Sequence, residues 1–131
     1  MSAFLDTNVL LYLLSSDTAK ADRAEKLVAA SSVVSVQVLN EFVAVARRKL
    51  RMAWPEIAEV TSTLQQLCLV EPVTLEIHNE ARRLAEAHQL AWYDAVIVSA
   101  ALEARCSTLY SEDMQHGMRI EKSLTIRNPF R

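Results

Sequence analysis

Glycine is almost missing from this chain: Gly117 is the only one in 131 residues. Phosphate cradles of the G-x-G-x-x-G and G-x-x-x-x-G-K types need several glycines at fixed spacing, so both are excluded. Cysteine is scarce as well. There are two, Cys68 and Cys106, and three scattered histidines, which leaves no closely spaced zinc-ligand set. Both cysteines lie in apolar strings, QLCLV and EARCSTL, which predicts buried, reduced thiols in a cytoplasmic protein. No basic-then-apolar leader opens the sequence. The longest charge-free run, 27–40, is too short and too rich in serine to span a bilayer, so no membrane partner is expected. Basic residues are not in excess: 14 Lys and Arg stand against 16 Asp and Glu, a net charge of −2. That balance speaks against binding nucleic acid through a broad basic surface.

What is present is apolar material, 51% of the chain, with no low-complexity linker and no repeat. One domain over 1–131 is expected. Residues 2–6 read as a short strand, followed by an apolar helix over 8–15. Asp17 or Thr18 can cap a helix to about 30. Val33 to Val36 is a β-branched strand, and Ser35 can cap a helix to about Leu50. Pro55 suits a first helical turn, opening a helix to about Leu67. Further strands are expected at 68–73, 108–110 and 124–127, and helices after Thr74 and over 92–105. Short apolar strands alternating with helices predict an α/β fold, a parallel sheet covered on both faces. In such folds sites form beyond the carboxyl ends of the strands.

The charges are distributed unevenly. Residues 1–16, 31–46 and 89–102 each contain one charge, although 23% of the chain is charged. Each time it is an acid: Asp6, Glu41 and Asp94. An acid in an apolar stretch is costly unless it caps a helix, pairs with a base or binds a cation. Capping is available to Asp6, and the helix dipole to Asp94. Neither is available to Glu41, about a turn and a half into its helix, and no Lys or Arg lies in these stretches. A fourth acid, Asp113 in LYSEDMQHG, follows the strand at 108–110 beside Glu112; alone it reads as a solvated turn residue. A doubly wound fold brings all four to one edge, where they repel unless a cation is shared. Oxygen-only ligands select Mg²⁺ or Mn²⁺, ions suited to phosphoryl transfer.

These segments identify a resemblance. FLDTNVLLYLL at 4–14, VSVQVLNEF at 34–42, WYDAVIVSAAL at 92–102 and LYSEDMQHG at 109–117 are similar to the PIN-domain nucleases, and within them to VapC-type toxins of bacterial toxin–antitoxin pairs. The resemblance covers essentially the whole chain. It implies a three-layer α/β/α sandwich with a mostly parallel five-stranded sheet. It also implies that Asp6, Glu41, Asp94 and Asp113 are catalytic and hold one or two Mg²⁺ or Mn²⁺ ions, with Thr7, Asn8 and Ser111 in support. The activity implied is endonucleolytic RNA cleavage leaving a 5′-phosphate, by a homodimer silenced by a cognate antitoxin.

The basic run Arg47, Arg48, Lys49 and Arg51 ends the helix that carries Glu41. It reads either as charge complementing the helix dipole or as contacts to RNA phosphates. His116 reads as a loop residue that can approach the site, and His78 and His88 as structural or exposed. Trp92 and Tyr93 read as core or dimer-face residues, with base stacking as the alternative. A phosphatase with an aspartyl nucleophile would want a second acid where Asn8 stands. The rival from another class is a catalytically silent module whose acidic pocket receives a basic residue of a partner.

Overall fold

The structure, a computed structural model, describes residues 2–131. In chain order its elements are β1 (Ala3–Leu5), α1 (Thr7–Leu11), a 3-10 turn (Tyr12–Leu14), α2 (Thr18–Ala29), β2 (Val33–Ser35) and α3 (Val36–Arg48). Then come α4 (Trp54–Leu67), β3 (Leu69–Glu71), α5 (Leu75–His88), α6 (Trp92–Glu103), β4 (Thr108–Tyr110), β5 (Arg119–Ile120) and β6 (Leu124–Arg127). The strands form one six-stranded sheet in the order β3-β2-β1-β4-β6-β5. Five run parallel, with Phe4 opposite both Val33 and Leu109, and Leu109 opposite Ile126.

The sheet departs from the expected five strands by a sixth, β5, which pairs antiparallel with β6. The three-residue connection joining them, 121–123, places Glu121 at φ 52° and Lys122 at φ 64°. That is the conformation usually marked by Asn-Gly, and Glu-Lys gives no such signal in sequence. Left-handed positions elsewhere also go to non-glycine residues, among them Gln89, which ends α5 at φ 55°. The first helix is shorter than expected, since the chain tightens into the 3-10 turn after Leu11.

Local signals set most element starts. Asp17, Ser35 and Thr74 each accept a hydrogen bond from the backbone N–H three residues on. Glu56 receives the Ala53 N–H, and Pro55 occupies the first turn of α4. The core contains Phe4 and Leu5, Val33 and Val34, Leu109 and Ile126 from the strands, so both sheet faces are covered. Ala95 to Ala101 of α6 are all buried, and the Ser99 hydroxyl is satisfied by the Ile77 carbonyl of α5 at 2.9 Å. Among the described residues, no helix is long and apolar enough to cross a membrane.

The topology decides where a site can form. Chain order moves outward from β1 to β2 to β3, then returns through α5 and α6 to β4 on the other side of β1. Parallel crossovers are right-handed, so the helices of the first two connections cover one face, and α5 and α6 the other. The winding reverses between β1 and β4, which leaves a crevice beyond their carboxyl ends.

Candidate functional site

Asp6 is the residue directly after β1, and Ser111 the residue directly after β4. Asp6 is only 4% exposed, yet both its carboxylate oxygens are satisfied. Oδ1 accepts the Thr7 N–H at 2.7 Å, capping α1. Oδ2 accepts the Ser111 hydroxyl at 2.7 Å and the Asn8 amide at 3.2 Å. Capping, an adequate role for Asp6 by itself, therefore uses one oxygen and leaves the other among side chains of the crevice.

Glu41 reaches the same place from α3. Its Oε1 accepts the Thr7 hydroxyl at 2.8 Å and its Oε2 the Gln37 amide at 2.9 Å. Asp94, half-buried in the first turn of α6, and Asp113, exposed in the turn after β4, complete the set. All four acids line one cavity of about 360 Å³, together with Thr7, Asn8 and Lys49. Ser111 stands behind the wall: it is fully buried, and its oxygen also accepts the Met114 N–H, closing the turn that holds Asp113.

The electrostatics follow from burial without a counter-charge. None of the four acids forms an ion pair among the described residues. Burial pushes Asp6 up to about 6; the Ser111 and Thr7 hydrogen bonds oppose the rise, and the charges of Asp94 and Glu41 add to it. Asp94 is also raised, by burial first and then by Glu41 and Asp113. Asp6 and Asp94 thus each feel the charge of neighbouring acids in the crevice. Their donor set is entirely oxygen, which fits a hard divalent cation. Among the described residues no three His, Cys, Asp or Glu side chains already stand as a ready-made metal site. They line the walls and are held there by neutral donors.

The basic run separates in space. Lys49 lines the acid cavity. Arg47 turns away: it donates to the Met52 carbonyl at 2.9 Å and lies over the Trp54 ring at 4.9 Å. Arg48 and Arg51 are exposed and do not line the cavity. His116 accepts the Asn128 N–H, His88 meets Glu121, and His78 packs edge-on to Trp92. Trp92 and Tyr93 are exposed, Tyr93 by 59%, so core packing does not account for them.

Two elements of the site were not read from sequence. Gln37 sits four residues before Glu41 on one helix face, a spacing that signals such a pair. Glu112 accepts from the Tyr12 hydroxyl at 2.6 Å and from Lys20 at 3.2 Å, while its N–H donates to Asn8. No local pattern announces that contact. Cys68 and Cys106 are buried free thiols, and burial raises both, Cys106 to about 11.

Comparison with known proteins agrees with this architecture. The chain is similar in structure to VapC20 of Mycobacterium tuberculosis, a toxin that cleaves the sarcin–ricin loop, with a TM-score of 0.69 and 22% identity over 86% of this chain and 90% of that one. It is similar to a toxin–antitoxin complex from Klebsiella pneumoniae, with a TM-score of 0.73 and 19% identity over 98% of each chain. It is also similar to VapBC2 from Rickettsia felis bound to a DNA fragment from its promoter, with a TM-score of 0.70 and 19% identity over 98% of each chain. At these identities the likeness is one of fold. No curated protein matches the sequence. The PIN domain family matches residues 3–117. With its four acids gathered where the sheet reverses its winding, the chain belongs to the PIN domain family.

Proposed function

We propose that this chain is a metal-dependent endoribonuclease, the toxin of a toxin–antitoxin pair, in one nuclease domain over 1–131. The observation that carries the reading is the acid cavity: four carboxylates from separate segments, none ion-paired among the described residues, share one crevice with neutral donors and Lys49. Carboxylates at that density are costly to ionise without a cation, and their oxygens match Mg²⁺ or Mn²⁺.

Asp6, Asp94 and Asp113 hold the ion in this reading, with Glu41 sharing it or orienting water. When bound, a divalent ion supplies an activated water and neutralises charge developing on the phosphate oxygens. The chain's own contribution is positioning. Ser111 and Thr7 fix the two oxygens of Asp6, and Thr7 and Gln37 fix those of Glu41. Lys49 supplies a cation at the rim for the RNA backbone.

The cognate partner is an antitoxin, consistent with neighbours of the same fold solved as toxin–antitoxin complexes. A homodimer in the cytoplasm completes the proposal. The exposure of Leu69 on edge strand β3, and of Leu75, Trp92 and Tyr93 at helix starts, supports a second copy as their cover.

The test is cleavage of RNA by the purified chain in Mg²⁺ or Mn²⁺, with EDTA and Asp6→Asn as controls. Products with 5′-phosphates, lost under both controls, are expected. Cleavage that survives both rules out this mechanism, and metal binding without cleavage of any RNA favours the silent module.

A further inference from the structure

Beside the acid cavity lies a second one of about 370 Å³. The two share Asn8, Leu11, Val45 and Lys49 in their walls, so they form one continuous groove. Their chemistry differs sharply. The acid cavity is ringed by carboxylates, whereas the second is walled by Leu11, Leu14, Val45 and Leu50. Leu50 is 49% exposed, an apolar side chain left open to water at the groove wall. Part of the second cavity's lining is polar. Ser15 stands there with Glu112, whose charge is already matched by Lys20. Each Glu112 oxygen accepts one hydrogen bond, from Tyr12 or Lys20, and has capacity for another.

Lys49 stands at the seam. Among the described residues it is the only Lys or Arg lining either cavity, and it makes no ion pair. The groove thus runs from an anionic, cation-demanding site, past a free ammonium, into an apolar slot with hydrogen-bonding groups in its lining. A nucleotide chain has that order of chemistry: phosphate, then phosphodiester linkage, then a flat apolar base with a polar edge.

We propose that the second cavity is a nucleobase subsite, which receives the base of the nucleotide next to the phosphate at the acids. This rests on the nuclease reading of the acid cavity. Lys49 pairs with the linking phosphate, and the leucine and valine side chains cover the faces of the base. Glu112 and Ser15 meet its edge, so that amino groups on the base are favoured over bare carbonyls there. Base preference next to the cut then comes from this slot and not from the carboxylates. An apolar side chain of a partner protein would also fit the walls, but it would leave Lys49 without an anion.

The experiment uses the full chain, Ca²⁺ in place of Mg²⁺, and a short single-stranded RNA carrying 6-thioguanosine, a photoreactive base that keeps an exocyclic amino group. Cross-linked peptides are mapped by mass spectrometry, and affinity is followed by fluorescence anisotropy. Adducts on the segments holding Tyr12, Leu14 or Leu50 are expected. Leu50→Ala should weaken binding about fivefold with the salt dependence unchanged. Lys49→Gln should weaken binding and lower the salt slope by about one. Circular dichroism confirms that each variant folds. Adducts confined to other surfaces overturn the proposal, as does RNA affinity untouched by Leu50→Ala, including the case where that variant loses only a protein partner. Cleavage in Mg²⁺ is scored separately. A chain that binds and cross-links RNA in the slot but never cuts it retains the subsite and loses the nuclease reading; one that cuts without using the slot does the reverse.

Discussion

The Ser111 hydroxyl donates a 2.7 Å hydrogen bond to the Asp6 carboxylate across a sequence separation of 105 residues. It joins the ends of β1 and β4, the two strands where the winding reverses. Ser111 is fully buried, and it also receives the Met114 N–H. Ser111→Ala should leave Oδ2 of Asp6 short of a donor and loosen the Asp113 turn. The expected cost is about 1–3 kcal/mol, measured by urea denaturation, together with a fall in RNA cleavage.

Stability should depend on pH in an unusual direction. The ordinary value for Asp6 is 3.8, and burial raises it to about 6 in the folded chain. A folded-state value above the unfolded one means that the native chain binds the extra proton between those pH values. Stability therefore increases as pH falls from about 7 toward 4, by up to roughly 3 kcal/mol. The upward shift of Asp94 acts in the same direction. Glu112 and Glu121 are lowered, so their pairs are lost only at the acid end of the range. Thermal melts in EDTA from pH 7 to 4.5 should show a rising Tm. Added Mg²⁺ should flatten that slope, and Asp6→Asn should remove most of it.

Gln37 is predicted to position Glu41. Its amide holds Oε2, while Thr7 holds Oε1. Gln37→Leu should free one oxygen and lower Mg²⁺ affinity about tenfold, read by calorimetric titration, with little change in Tm in EDTA. Gln37→Glu should be worse for folding, because it adds another acid beside the set.

Lys122→Gly should stabilise the fold. Lys122 is exposed at φ 64°, and only its carbonyl is used, by Arg119. Removing the Cβ strain at a left-handed position is worth on the order of 1 kcal/mol, less the added freedom of glycine in the unfolded chain. A rise of a few degrees in Tm, with cleavage unchanged, is the expected result.

Much of this molecule was legible one residue at a time. Phe4–Leu5 and Val33–Val34 are apolar on both faces because helices cover both, and Asp17, Ser35 and Thr74 cap helices through N–H groups three residues away. Asp6, Glu41 and Asp94 stood out for an energetic reason: a lone charge among apolar neighbours must be compensated somewhere. Asp113 stood out less, since a polar turn hides it; its place beyond the carboxyl end of the 108–110 strand marked it, and its resemblance to a family segment supported it. The β5 strand was missed because two residues carry no periodicity and its turn lacks glycine.

Sequence by itself determined the order of the elements other than β5 and the 3-10 turn, the mostly parallel α/β class and the three acids that stand alone among apolar neighbours, because these depend on neighbours a few positions apart. Tertiary structure alone decided the rest. It brought Ser111 to Asp6 and Lys20 to Glu112, set Lys49 toward the acids, and turned Arg47 to Trp54. It also left Trp92 and Tyr93 exposed. The Ser111 and Lys20 contacts depend on where the crossover from β3 returns the chain beside β1, and a separation of 92 or 105 residues leaves no trace in local pattern.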